Sequence, residues 1–75
     1  MSIFRVLHNY GAYEGWKVVG EDHATILLAV EAREAELYNS GGGEIIIVEV
    51  LTVTEAYRRA DYEKITAAWR KTNCG

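Results

Sequence analysis

The chain has 75 residues, 49% of them hydrophobic and 25% charged, with a formal net charge of −3, one cysteine and no proline. These totals fit one small globular domain that buries about 60% of its unfolded surface, and they exclude a disordered polymer and a disulfide-stapled fold. The longest apolar run, Ile26 to Val30, is far short of a membrane span, and the opening MSIFRVLHNY lacks a leader pattern, so the expectation is a soluble, cytoplasmic protein.

Residues 2–10 alternate apolar and polar side chains as a strand does, and WKVVG reads as a second strand. Between them, Gly11 and Gly15 supply the positive-φ positions of a turn, so the spacing predicts a β-hairpin over 2–20. Asp22 then stands as N-cap of a helix over 22–38. At 100° per residue Ile26, Leu27, Val30, Leu37 and Tyr38 share one arc of that helix, extended by Ala24, Leu28 and Ala35. Thr25, Arg33 and Glu36 lie opposite. Two polar residues, His23 and Glu34, fall inside the apolar arc. Asn39 to Gly43 carries the residues that stop helices.

A strand follows over 44–52, opening on EIIIVEV, with apolar residues on both of its faces. TVTE has capping-box spacing from Thr52 to Glu55, which predicts a final helix over 54–72. Ala56, Ala60, Ala67 and Ala68 with Tyr57 make one face of it, and Tyr62, Ile65 and Trp69 a bulkier shoulder. The expected fold class is α+β: a single β-β-α-β-α domain, with a three-stranded, mostly antiparallel sheet and two helices.

That inventory leaves a face to cover. Phe4, Val6, Trp16, Val18, Ile46, Val48 and Val50 are assigned to the side of the first helix. The opposite side then shows Ile3, Leu7, Val19, Ile45, Ile47 and Leu51, interrupted by Arg5, Lys17 and Glu49. A one-residue slip in register exchanges such sets. Six large aliphatic side chains exceed what a soluble monomer normally leaves open. Either the final helix folds across them or a second chain does, and a homodimer is the expected outcome. The interaction candidates are therefore Ile45, Ile47, Glu49 and Leu51 with Tyr62, Ile65 and Trp69.

Chemistry-bearing patterns are sparse. His8, His23 and Cys74 lack metal-ligand spacing; His8 reads as a sheet residue and His23 as a first-turn helix residue. Neither glycine cluster matches a phosphate-binding motif, and neither Ser2 nor Ser40 sits in a nucleophile elbow. No cofactor, metal or enzymatic activity is expected. The halves differ in charge, with three basic and nine acidic residues in 1–55 against five basic and two acidic in 56–75. Arg58, Arg59, Lys64, Arg70 and Lys71 mix with Tyr57, Tyr62 and Trp69 on the final helix, as in single-strand binders. The acidic whole argues against nucleic acid. Tyr10, Tyr13 and Trp16 around the glycine turn, with Glu34 among its apolar neighbours, are the candidate small-ligand or nucleotide site.

FRVLHNYGAYEGWKVVGE, the alanine-rich first helix and the glycine-led aliphatic strand together resemble short accessory proteins of bacteriophages and mobile elements. The resemblance implies action by stoichiometric binding, including inhibition of host defence machinery, and assigns no role to any residue. The functional expectation is a non-catalytic, homo-oligomeric protein-interaction module, with a sequestering small-ligand binder as the alternative.

Overall fold

The computed structural model describes residues 3–40, 43–51 and 56–74. Among them are four strands and two helices: β1 (Ile3–Asn9), β2 (Trp16–His23), α1 (Ile26–Ser40), β3 (Glu44–Val50), β4 (Tyr57–Arg59) and α2 (Glu63–Cys74). The strands form one antiparallel sheet in the order β2-β1-β3-β4, and the fold is α+β. One strand more than expected is present, and the final helix is shorter. Residues 57–59 pair with β3 through Val50↔Tyr57 and Val48↔Arg59, so a stretch assigned to helix 54–72 is strand and α2 begins only at Glu63. The proposed capping box from Thr52 to Glu55 lies outside the described residues.

Tyr10 to Gly15 connect Asn9 to Trp16, which are cross-strand partners. This connection sets the side-chain parity of the hairpin. Odd-numbered positions of β1 share a face with even-numbered positions of β2, so Val18 lies beside Leu7 and Val19 beside Val6. Further along, the register shifts between Val6 and Phe4, and Gly20 takes a φ of +68° with open space around it. A left-handed glycine is the usual way to bulge a strand. The bulge carries β2 on to His23, which pairs with Phe4. Asp22 is thus a strand residue and caps nothing. Thr25 caps α1 instead, its hydroxyl accepting from the Leu28 amide at 3.3 Å.

Both helices lie on one side of the sheet. Val6, Ile45 and Ile47 from the sheet, Ala29 and Val30 from α1, and Tyr62 just ahead of α2 form the buried cluster, with Phe4, Val19, Ile26, Leu37, Ile65 and Trp69 packed around it. The facing assignment is therefore right for β1 and inverted for β2 and β3. Val19, Ile45 and Ile47 point to the helices; Trp16, Val18, Ile46, Val48 and Val50 share the other face with Ile3 and Leu7. The helical arc is corrected as well. Arg33 and Glu36, expected on the outer side, reach the sheet: Arg33 Nε donates to the Ile45 carbonyl at 2.7 Å, and Glu36 lies 2.9 Å from His8 Nδ1. Leu27, Leu28 and Tyr38 are exposed instead. A helix with apolar residues around most of its circumference does not declare its inner side, and these polar ties to the strands select it.

The parity makes a direct prediction. Ile47→Ala should lower unfolding stability by about 3 kcal/mol, the usual cost of truncating a fully buried aliphatic side chain. Val18→Ala, half exposed on the opposite face, should cost under about 1 kcal/mol. Urea denaturation of the two variants checks this, and equal losses would refute the assignment of faces.

Candidate functional site: the open sheet face

With both helices on one side, the second sheet face has no covering layer within the described chain. The slab measures 39 × 33 × 18 Å, thick enough for one sheet and one layer of helices. Along the open face run Ile3 and Leu7 of β1, Trp16 and Val18 of β2, and Ile46, Val48 and Val50 of β3, with Tyr57 of β4 at one margin. Ile3, Trp16, Val18 and Tyr57 are 41–50% exposed. Leu7 and Val48, at the centre, are 9% and 3% exposed.

One polar node interrupts this surface. Arg5 grips Asp22 with both arms, Nε to Oδ1 at 2.6 Å and Nη2 to Oδ2 at 2.8 Å, and its Nη1 donates to the Tyr57 hydroxyl at 2.5 Å. Its guanidinium carbon is also 5.5 Å from the Tyr57 ring centre. A bidentate guanidinium–carboxylate pair is the strongest form of such a contact, and here one side chain ties β2 to β4 across the two central strands. Val48 is the cross-strand partner of Arg5, and the crossing side chain helps keep it dry. The hydrogen bond from Arg5 is the main cause that holds the Asp22 carboxyl below its ordinary range, ahead of the opposing cost of desolvation.

The residues singled out from sequence fall into separate places. Ile45 and Ile47 are core residues under the helices, Tyr62 is buried with them, and Ile65 and Trp69 pack against the same cluster. None of these five lies on the open face. Glu49 also faces the helix side and pairs with Arg58; Leu51, beyond β3, is exposed. Reasoning from sequence missed Trp16, Val18, Ile46, Val48 and Val50 as the open set. The signal was present in the alternation of EIIIVEV, and only its parity was unreadable.

The aromatic turn does not gather into a pocket with Glu34. Tyr13 projects fully into solvent. Tyr10 stacks on His8 with ring centres 4.1 Å apart and donates to Glu36 at 3.2 Å. Desolvation and that hydrogen bond raise the Tyr10 hydroxyl above its usual titration range. Trp16 belongs to the open face, while Glu34 faces α2 and binds Arg70. The basic–aromatic helix is likewise divided: Tyr57, Arg58 and Arg59 are on β4, Lys64, Trp69, Arg70 and Lys71 on α2. Between the helices, Leu27, Glu31, Ile65 and Trp69 line a shallow groove of about 510 Å³. Among the described residues no helix is long and apolar enough to cross a membrane, and no three His, Cys, Asp or Glu side chains stand together as a metal site. No protein-family model matches the chain, and the searches of curated proteins and solved structures give no match.

The Arg5–Asp22 pair gives stability a defined pH dependence. A depressed folded-state carboxyl contributes stability above the unfolded value, near 3.8, and loses it as pH falls through the lower folded value. Urea midpoints measured between pH 5 and 2 should fall more steeply for the native chain than for Asp22→Asn; parallel slopes would show that the pair carries no linkage.

Proposed function

We propose that the protein is a small non-catalytic interaction module whose open sheet face binds a second copy of the same chain. The observation that carries this reading is the apolar second face, which no described element covers. A compact monomer of 8.4 kDa exposes about 4,600 Å² by the scaling of surface with mass; this chain exposes 5238 Å². The excess, roughly 600 Å², is more than the roughly 450 Å² that an uncovered face presents at about 4.8 Å per strand and 3.4 Å per residue.

A second copy suits this face on three grounds. Two antiparallel sheets stack at about 10 Å when both present branched aliphatic side chains, as in sandwich proteins. A two-fold pairing brings the same patch to itself, so apolar centre meets apolar centre. The Arg5–Asp22 pair is already neutralised within each chain, and the other charged residues that the register puts on this face, Glu44 and Arg59, stand at its margins. The buried total, roughly 900 Å² from the same strand dimensions, is below that of standard stable complexes. The dimer is therefore an exchanging one, with micromolar rather than nanomolar affinity.

Light scattering across a concentration series should show monomer passing to dimer in the micromolar range. Val18→Lys, which places a charge at a half-exposed site, should shift the transition to at least tenfold higher concentration, while circular dichroism and the urea midpoint stay near native. A strict monomer at millimolar concentration, or a dimer indifferent to Val18→Lys and Trp16→Lys, would sink the reading.

A further inference from the structure

On the opposite side of the slab, where α1, α2 and the end of β4 meet, lies a polar hollow of about 260 Å³. Its wall holds three guanidiniums, from Arg33, Arg59 and Arg70, together with Tyr62, Glu63 and Thr66. Arg33 and Arg59 flank the Tyr62 ring, their guanidinium carbons 4.8 and 5.9 Å from its centre. Arg59 also donates to the Tyr62 hydroxyl at 3.3 Å. Arg70 chelates Glu34 from Nε at 3.0 Å and Nη2 at 2.9 Å, and Arg33 Nη1 lies 3.4 Å from the same carboxylate. The side chains are thus held in place before any ligand arrives, as preorganised binding requires. Thr66 adds a further donor. It is 5% exposed, and its hydroxyl oxygen is buried with no hydrogen-bond partner. A threonine in a helix ordinarily returns such a hydroxyl to the carbonyl one turn back; this one does not, and an unmatched buried hydroxyl carries a cost.

We infer that this hollow is a binding site for a small phosphate-bearing anion, with Arg33 and Arg59 as its principal clamps and Thr66 as a neutral donor. The charge balance favours an anion. Three positive groups line the wall against the single carboxylate of Glu63, while Glu34 holds two of the arginines from outside it and Glu44 acts on Arg59 from farther off. Glu44 and Glu63 are near enough to raise the Arg59 titration further, after its hydrogen bond and interaction with Tyr62, so its charge persists at any working pH. Planar guanidinium forks match phosphate oxygens two at a time, and the volume admits a phosphate group with part of whatever carries it. The hollow shares β4 with the open sheet face, Arg59 being the cross-strand partner of Val48, and its test reads anion binding rather than association.

The test is a titration of the ¹⁵N-labelled full chain with sodium phosphate at pH 7, with sodium chloride at matched ionic strength and sodium acetate as parallel arms. Saturable shifts confined to Arg33, Arg59 and residues 62–70, with a dissociation constant of ~1 mM or below, are expected with phosphate and absent with chloride. A comparable response to acetate would overturn the phosphate assignment. Arg59→Gln should weaken phosphate binding at least tenfold and Thr66→Val severalfold, both with native-like spectra. Shifts that chloride reproduces, that spread over the whole surface, or that survive Arg59→Gln would overturn the site.

Discussion

Val6 and Ile47 lie opposite one another on the two central strands, and both side chains are wholly withdrawn from solvent. Their meeting is one rung of a ladder running unbroken from Ile3↔Val50 to Asn9↔Glu44. Because a strand repeats every two residues, this register decides the side of every other residue on β1 and β3. It sends Ile45 and Ile47 beneath the helices with Val6, and it sends Ile46, Val48 and Val50 to the face with no second layer. A slip of one position would exchange the sets and leave Glu49 on the open face. The close of the β3 approach guards that register. Gly43 has a φ of +93°, and a Cβ there would stand 2.7 Å from His8 Nε2, so a side chain at 43 and a buried His8 are incompatible in this arrangement.

The helix layer is positioned by polar contacts as much as by apolar ones. Arg33 reaches over the Tyr62 ring to the Ile45 carbonyl, Tyr62 directs its hydroxyl at the same carbonyl from 3.5 Å, and Glu36 meets His8. Ile45 thus offers its side chain to the core and its carbonyl to α1. Such contacts have angular requirements that aliphatic packing lacks, and they fix the rotation of a helix whose apolar residues would otherwise permit several. The outcome is a helix that leaves Leu27 and Leu28 half exposed in exchange for satisfied buried polar groups, whose neglect costs more than exposed aliphatic surface.

Much of this was legible in the residues and some was not. The hairpin, the first helix, the aliphatic third strand and the single-domain α+β class follow from local periodicity and glycine placement, which are local properties. Parity across the sheet is not local: it depends on the connection between Asn9 and Trp16 and on the bulge at Gly20, neither of which leaves a periodic trace. The assignment of Tyr57 to Arg59 to a helix failed for a related reason. Alanine-rich flanks favour helix in isolation, but β3 had an unpaired edge, and three residues of ladder with the Arg58–Glu49 ion pair outweigh propensity there. Of the candidate site, the sequence disclosed that one sheet face lacked cover but not which residues composed it. The arginine hollow was invisible, because Arg33, Arg59 and Arg70 come from three elements that only the tertiary fold brings together.

The two sides of the slab consequently have different chemical characters. The open face is mainly aliphatic, with the Arg5 guanidinium already engaged by Asp22 and Tyr57. The helix side carries the guanidiniums of Arg33, Arg59 and Arg70 around an orphaned hydroxyl. An anion in the hollow would touch α1, α2 and β4 at once, whereas a chain docked on the open face would touch only the four strands. Tyr62 and Ile45 stand between, joined through a carbonyl that also receives Arg33.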